Sequence, residues 1–138
     1  MSDDQGSDKR LVTGERRIRS YKDLEVWKKA VVLVTDVYRE TRSFPKDEVY
    51  ALTNQIRRAA TSVPANIAEG WGRGKTKEFC QFLRIARGSL LELETHLLVA
   101  SNLQYGTEAE NRRLAESMEE VSKMLNALIA KLEGRGRD

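Results

Sequence analysis

Gln55-Ile-Arg-Arg-Ala-Ala-Thr-Ser-Val-Pro64-Ala-Asn-Ile-Ala-Glu-Gly70 contains the residue on which the fold turns. Within and just before this stretch, Val49, Leu52, Ile56, Ala60, Val63 and Ile67 step by 3, 4, 4, 3 and 4 residues, the spacing that gathers apolar side chains on one face of a helix. Pro64 sits inside the stripe. A proline within a helix removes the hydrogen bond to the carbonyl four residues back, here Ala60, at a cost of about 3 kcal/mol. The segment is therefore either two helices, the second capped by Ser62, or one helix bent at the proline. Because the stripe keeps its phase from Ile56 to Ile67, the spacing predicts one kinked helix from Asp47 to Gly70.

Working outward, Leu24, Trp27, Val31, Val34, Tyr38 and Thr41 step by 3, 4, 3, 4 and 3, which predicts a helix from Lys22 to Arg42. It stops before Phe44-Pro45, since a residue preceding proline avoids helical geometry. Downstream, Gly70-Trp71-Gly72-Arg73-Gly74 reads as a helix cap that uses left-handed glycine. Phe79, Phe82, Leu83, Ala86, Leu90, Leu93, Leu97 and Ala100 then mark a helix from Thr76 to Leu103. Cys80, Leu91, Leu98 and Val99 widen its apolar surface beyond one face, as in a helix with neighbours on two sides. Thr107 and Glu110 form a capping box before a last stripe of Leu114, Met118, Val121, Leu125, Leu128 and Leu132, which ends near Glu133. Short connections force consecutive helices to run in opposite directions, so the expected fold is all-α, an antiparallel up-down-up-down four-helix bundle. Residues 21–133 make the bundle, residues 1–20 a flexible polar arm and residues 134–138 a flexible tail.

The whole chain has 138 residues, 40% of them hydrophobic, enough for one core without disulfide or metal staples. No apolar run approaches the roughly 20 residues of a membrane span, and the polar opening MSDDQGSDKR lacks a secretory h-region. A cytoplasmic protein with no membrane partner is expected. One Cys80 and one His96 leave too few ligands for zinc and no internal disulfide. His96 lies on a leucine-rich helix next to Thr95 and Leu97 and reads as a satisfied structural histidine, and Cys80 between two phenylalanines reads as an inert core residue. Gly74-Lys75-Thr76 ends like a phosphate loop, but Glu69 stands where that motif needs glycine and a helix precedes it instead of a strand. No catalytic residue, metal ligand or cofactor is assigned, and the chain is not expected to be an enzyme.

Charge distribution gives a better lead than the net charge of +3. Between residues 73 and 90 five bases face Glu78 alone. Antiparallel helices at about 1.5 Å per residue would bring Arg57 and Arg58 to the level of Arg84 and Arg87, with Arg73, Lys75 and Lys77 extending the patch towards the turn. Trp71 could offer a ring on which a base stacks. These seven basic residues are the candidate nucleic-acid contacts, acting on the phosphates of RNA or DNA. Pairing with Glu92, Glu94 or another subunit is the mundane alternative.

The block from Gln55 to Gly70, with Lys77-Glu-Phe79, Ile85-Ala-Arg-Gly-Ser-Leu-Leu-Glu-Leu-Glu94 and Tyr21-Lys-Asp-Leu-Glu-Val-Trp27, resembles the four-helix-bundle family encoded by intervening sequences of bacterial large-subunit ribosomal RNA genes. The resemblance covers about residues 20 to 132. That family is similar in fold to the accessory variability protein of diversity-generating retroelements, a barrel-shaped pentamer that binds nucleic acid and its reverse transcriptase. The resemblance implies a homopentamer, a non-catalytic nucleic-acid-binding accessory role and a reverse transcriptase as partner. A protein-interaction scaffold without direct nucleic-acid binding is the alternative.

Overall fold

The computed structural model describes residues 12–13 and 16–136, with side chains from residue 17 to residue 134. Four helices carry the fold: α1 Glu25–Thr41, α2 Leu52–Gly72, α3 Thr76–Asn102 and α4 Glu108–Gly136. Helix α1 packs on α2 and α4, α2 on α3, and α3 on α4, the neighbour pattern of a four-helix bundle, with the α2–α3 seam the most extensive. Two single-turn 3-10 helices, Tyr21–Asp23 and Lys46–Glu48, lead into α1 and α2, and Val12–Thr13 pairs antiparallel with Arg16–Arg17.

Pro64 lies inside an unbroken α2. Ser62 does not cap a separate helix; its hydroxyl is 2.8 Å from that of Ser89 on α3, and the Asn66 amide donates to the Ser62 carbonyl and hydroxyl at 2.8 and 2.9 Å. The start of α2 differs from the expected Asp47. Ala51 has a non-helical backbone (φ −124°, ψ −107°), which separates the 3-10 turn from the helix. Its end differs too. Gly70 is helical and buried, and a Cβ built there would stand 2.6 Å from the Cβ of Phe82. Gly70 thus serves close approach of α2 and α3, and the left-handed position falls to Gly74 (φ 80°).

The stripe of α1 is shifted by one position from the expected one. Val26, Ala30, Leu33, Val37, Glu40 and Thr41 are buried, whereas Trp27 and Val34 are half-buried at the edge and Tyr38 is exposed. Eight apolar residues from Val26 to Val37 allow two phases, and the observed one turns Ala30 inward and leaves the larger Trp27 at the edge. On α4, Ile129 takes the buried place given to Leu128, which is half-buried. The Thr107–Glu110 capping box forms as expected, with Glu110 N donating to Thr107 Oγ1 at 3.1 Å.

The packed region begins before residue 21. Ile18 is buried in the core, and Asp23 Oδ2 accepts from Arg19 N and Ser20 N at 3.0 and 3.2 Å, closing a capping box with Ser20. At the other end α4 runs on to Gly136 instead of stopping near Glu133. The rest of the expected arm, residues 1–11 and 14–15, and the last two residues of the tail lie outside the described residues.

Candidate nucleic-acid interface

The Ser62–Ser89 hydroxyl pair fixes the level at which α2 and α3 meet. Counting along each helix from that level, Arg58 lies about 6 Å to one side and Arg87 and Arg84 about 3 and 8 Å to the other. Arg57 and Arg58 are consecutive and so point roughly 100° apart. Arg57 leans away from α3 onto α1: its Nε donates to Thr41 Oγ1 at 2.9 Å, Nη2 donates to the Tyr38 carbonyl at 3.4 Å, and the guanidinium sits 4.6 Å from the centroid of the Tyr38 ring. Arg84 and Arg87 lean onto α4, where Arg84 pairs with Glu133 and Arg87 Nη1 donates to Asn126 Oδ1 at 2.9 Å. Of the four arginines expected on one patch, Arg57 thus lies on one flank of the α2–α3 pair, Arg84 and Arg87 on the other, and Arg58 at the seam between the two helices, because axial level does not fix the direction around a helix.

Near the turn, Arg73 bonds Glu69 at 3.0 Å and covers the Phe82 ring at 4.9 Å. Trp71 is half-buried and packs in a T-shaped contact with Phe79, ring centroids 5.8 Å apart. Arg58, Lys75 and Lys77 are exposed and make no ion pair among the described residues. Those three, of the seven candidates, offer an uncompensated positive charge.

The most exposed ring among the described residues is Tyr50, at 94% exposure. It stands just before α2 and was missed because its only sequence signal is a place off the apolar stripe. One other expectation changes. His96 is not satisfied by a structural hydrogen bond: its Nε2 is buried without a hydrogen-bond partner, and lies 3.5 Å from Glu92 Oε2, an ion-pair contact when the ring is protonated. Cys80 is buried in the core. Glu40, on the inward face of α1, is only 6% exposed and its Oε2 has no hydrogen-bond partner. Burial first, then the nearby Glu110 carboxylate, push its carboxyl up to about 7, against a smaller opposing effect of Arg113. Tyr105 donates its hydroxyl to Glu48 Oε2 at 2.8 Å, and that bond raises its pKa above the usual phenol value. No three His, Cys, Asp or Glu side chains are grouped as a metal ion requires among the described residues. No helix among them is long and apolar enough to cross a membrane.

The family model for the 23S rRNA-intervening sequence protein matches residues 22–127. The chain belongs to this family. Members of the 23S rRNA-intervening sequence protein family are thus its kin over all of α1, α2 and α3 and most of α4. Among solved structures, one from Bacteroides thetaiotaomicron VPI-5482, described as a protein of unknown function from the S23 ribosomal protein family, is similar. It shares 23% identity at a TM-score of 0.71, over 76% of this chain and 95% of that one, and so carries the bundle fold across to this member. No curated protein matches the chain.

Proposed function

We propose that this member of the 23S rRNA-intervening sequence protein family is a non-enzymatic, self-assembling accessory protein that binds nucleic acid through phosphates. The observation that carries the reading is the set of exposed cations without counter-ions, Arg58, Lys75 and Lys77. Arg73 and Arg84 reinforce it. Their carboxylate pairs leave the arginine side chains 46% and 42% exposed, and such pairs contribute about 0 to 1 kcal/mol, so phosphates can replace the carboxylates at little cost. In this reading a reverse transcriptase is the kind of partner the protein assists, as the resemblance in fold implies. The test is fluorescence anisotropy with a labelled single strand across a salt series. Replacing Arg58, Lys75 and Lys77 together with Ala should weaken binding and reduce the salt slope by about 2, since each lost phosphate contact removes about 0.7. An unchanged slope would rule the three residues out.

A second reading, an interaction scaffold, is favoured by α3. Leu91 and Leu98 are 57% and 62% exposed, seven residues apart on one flank, and Leu98 lines a groove of about 620 Å³ with Leu97, Leu114 and Met118. A second copy of the chain is the occupant proposed, in the five-subunit ring the resemblance implies, because a closed ring covers the same flank on every subunit. Light scattering should give about five times the 15.7 kDa chain mass, and Leu91→Glu with Leu98→Glu should return it to one. A monomeric parent protein defeats this reading.

A further inference from the structure

Around Tyr50 the chain presents a set of polar groups that the bundle does not use. Asn54, Gln55 and Arg58 lie along one side of α2, and Tyr50, on the non-helical segment ahead of it, borders the same cleft. With Ser62 on the same helix and Glu92 and His96 across the seam on α3, they line a cleft of about 500 Å³. The side chains of Asn54, Gln55 and Arg58 make no hydrogen bond or ion pair among the described residues, and the buried Nε2 of His96 has no hydrogen-bond partner. An exposed aromatic ring, two amides and a guanidinium therefore converge on one cleft.

Each group narrows the ligand. An apolar molecule would leave the amides and Arg58 desolvated, and an inorganic anion would leave the ring and the amides idle. A metal ion would find one carboxylate, Glu92. A nucleotide uses all of them: the base offers a flat face to an aromatic ring, its edge offers paired donors and acceptors that an Asn or Gln amide matches, and its phosphate suits a guanidinium. The base must be unpaired, since a duplex keeps its faces stacked inside the helix. We infer that the cleft between the start of α2 and the middle of α3 holds one nucleotide of a single-stranded nucleic acid, with its base on Tyr50, its edge at Asn54 and Gln55 and its phosphate at Arg58. Glu92 on the opposite wall repels the phosphate and so favours this orientation. The inference rests on the nucleic-acid reading above and gives it a site.

The experiment is anisotropy with the full chain and three labelled probes: oligouridylate, oligodeoxythymidylate and a duplex of equal length. Single strands should bind more tightly than the duplex. Tyr50→Ala should weaken single-strand binding about 5- to 100-fold with the salt slope unchanged, because it removes stacking and no charge, and Tyr50→Phe should retain binding. Arg58→Ala should weaken binding and lower the slope by about 0.7. Binding of RNA alone, lost in Tyr50→Ala, names RNA as the occupant; binding of both strands, lost alike, names the shared base and phosphate chemistry. Tyr50 is exposed and outside α2, and an unchanged circular dichroism spectrum checks that its variants fold. If Tyr50→Ala binds like the parent while Arg58, Lys75 and Lys77 matter, nucleic-acid binding stands and the cleft is overturned. If the parent binds none of the probes, the nucleic-acid reading falls and the cleft with it.

Discussion

Glu40 occupies a core position of α1, in step with Val26, Ala30, Leu33 and Val37, although it carries a carboxyl. Burial disfavours its charged form, so it holds a proton to about pH 7 in the fold but only to about 4.5 when exposed. The sign follows from proton counts. Between these values the folded chain binds more protons than the unfolded one, so stability falls as pH rises through that window and levels off above it. The penalty is roughly 3 kcal/mol at most, by the conversion of about 1.4 kcal/mol per tenfold. Glu40→Gln should remove it. Urea midpoints at pH 8 should then be higher in the variant than in the parent, and the difference should vanish near pH 4; an equal difference at both values would show that charge is not the cause. Nothing in the sequence marked this residue, because the expected stripe ran one position later and left Glu40 on the water side. Arg57 was misread for the same reason: its partners Thr41 and Tyr38 belong to a helix whose rotation the spacing did not determine.

At the level of helices, two glycines of similar appearance in the sequence differ in what surrounds them. Gly70 lets α2 approach the Phe82 backbone, and an added methyl would collide with a Cβ that cannot swing aside. Gly88, in the middle of α3, has nothing within 4 Å of a built Cβ. Gly70→Ala should destabilise by about 1 to 3 kcal/mol through overpacking, whereas Gly88→Ala should stabilise by about 0.5 to 1 kcal/mol by lowering the entropy lost on folding. Chemical denaturation of the two variants measures both, and opposite signs are the expected result. The number and order of the helices were legible from spacing alone, including continuity through Pro64, because the apolar period of α2 does not slip there. The stripe of α3 was nearly complete, and that of α2 held from Ile56 to Ile67 but not at Val49, which is exposed ahead of the helix. The ends were less legible: Ala51 breaks the helix with an unremarkable side chain, and Ser20 and Asp23 cap a 3-10 turn that has no apolar period of its own.

For the molecule as a whole, the candidate surface was readable as a list of residues and not as a surface. Basic side chains at one axial level looked like one patch, but Arg57 turns to α1 and Arg84 and Arg87 to α4. Direction around each helix depends on packing against all its neighbours, which a single period cannot supply. Arg58, Lys75 and Lys77 stay exposed and make no ion pair among the described residues. The tight α2–α3 seam, closed at Gly70 and tied at Ser62 and Ser89, also sets an order in time. Its two helices are joined only by Arg73–Lys75, so the chain loses little loop entropy in bringing them together. The hairpin is placed to form first and to open last. Amide protons of α2 and α3 should therefore exchange with deuterium more slowly than those of α1 and α4, which dock from the two ends of the chain and can detach without it.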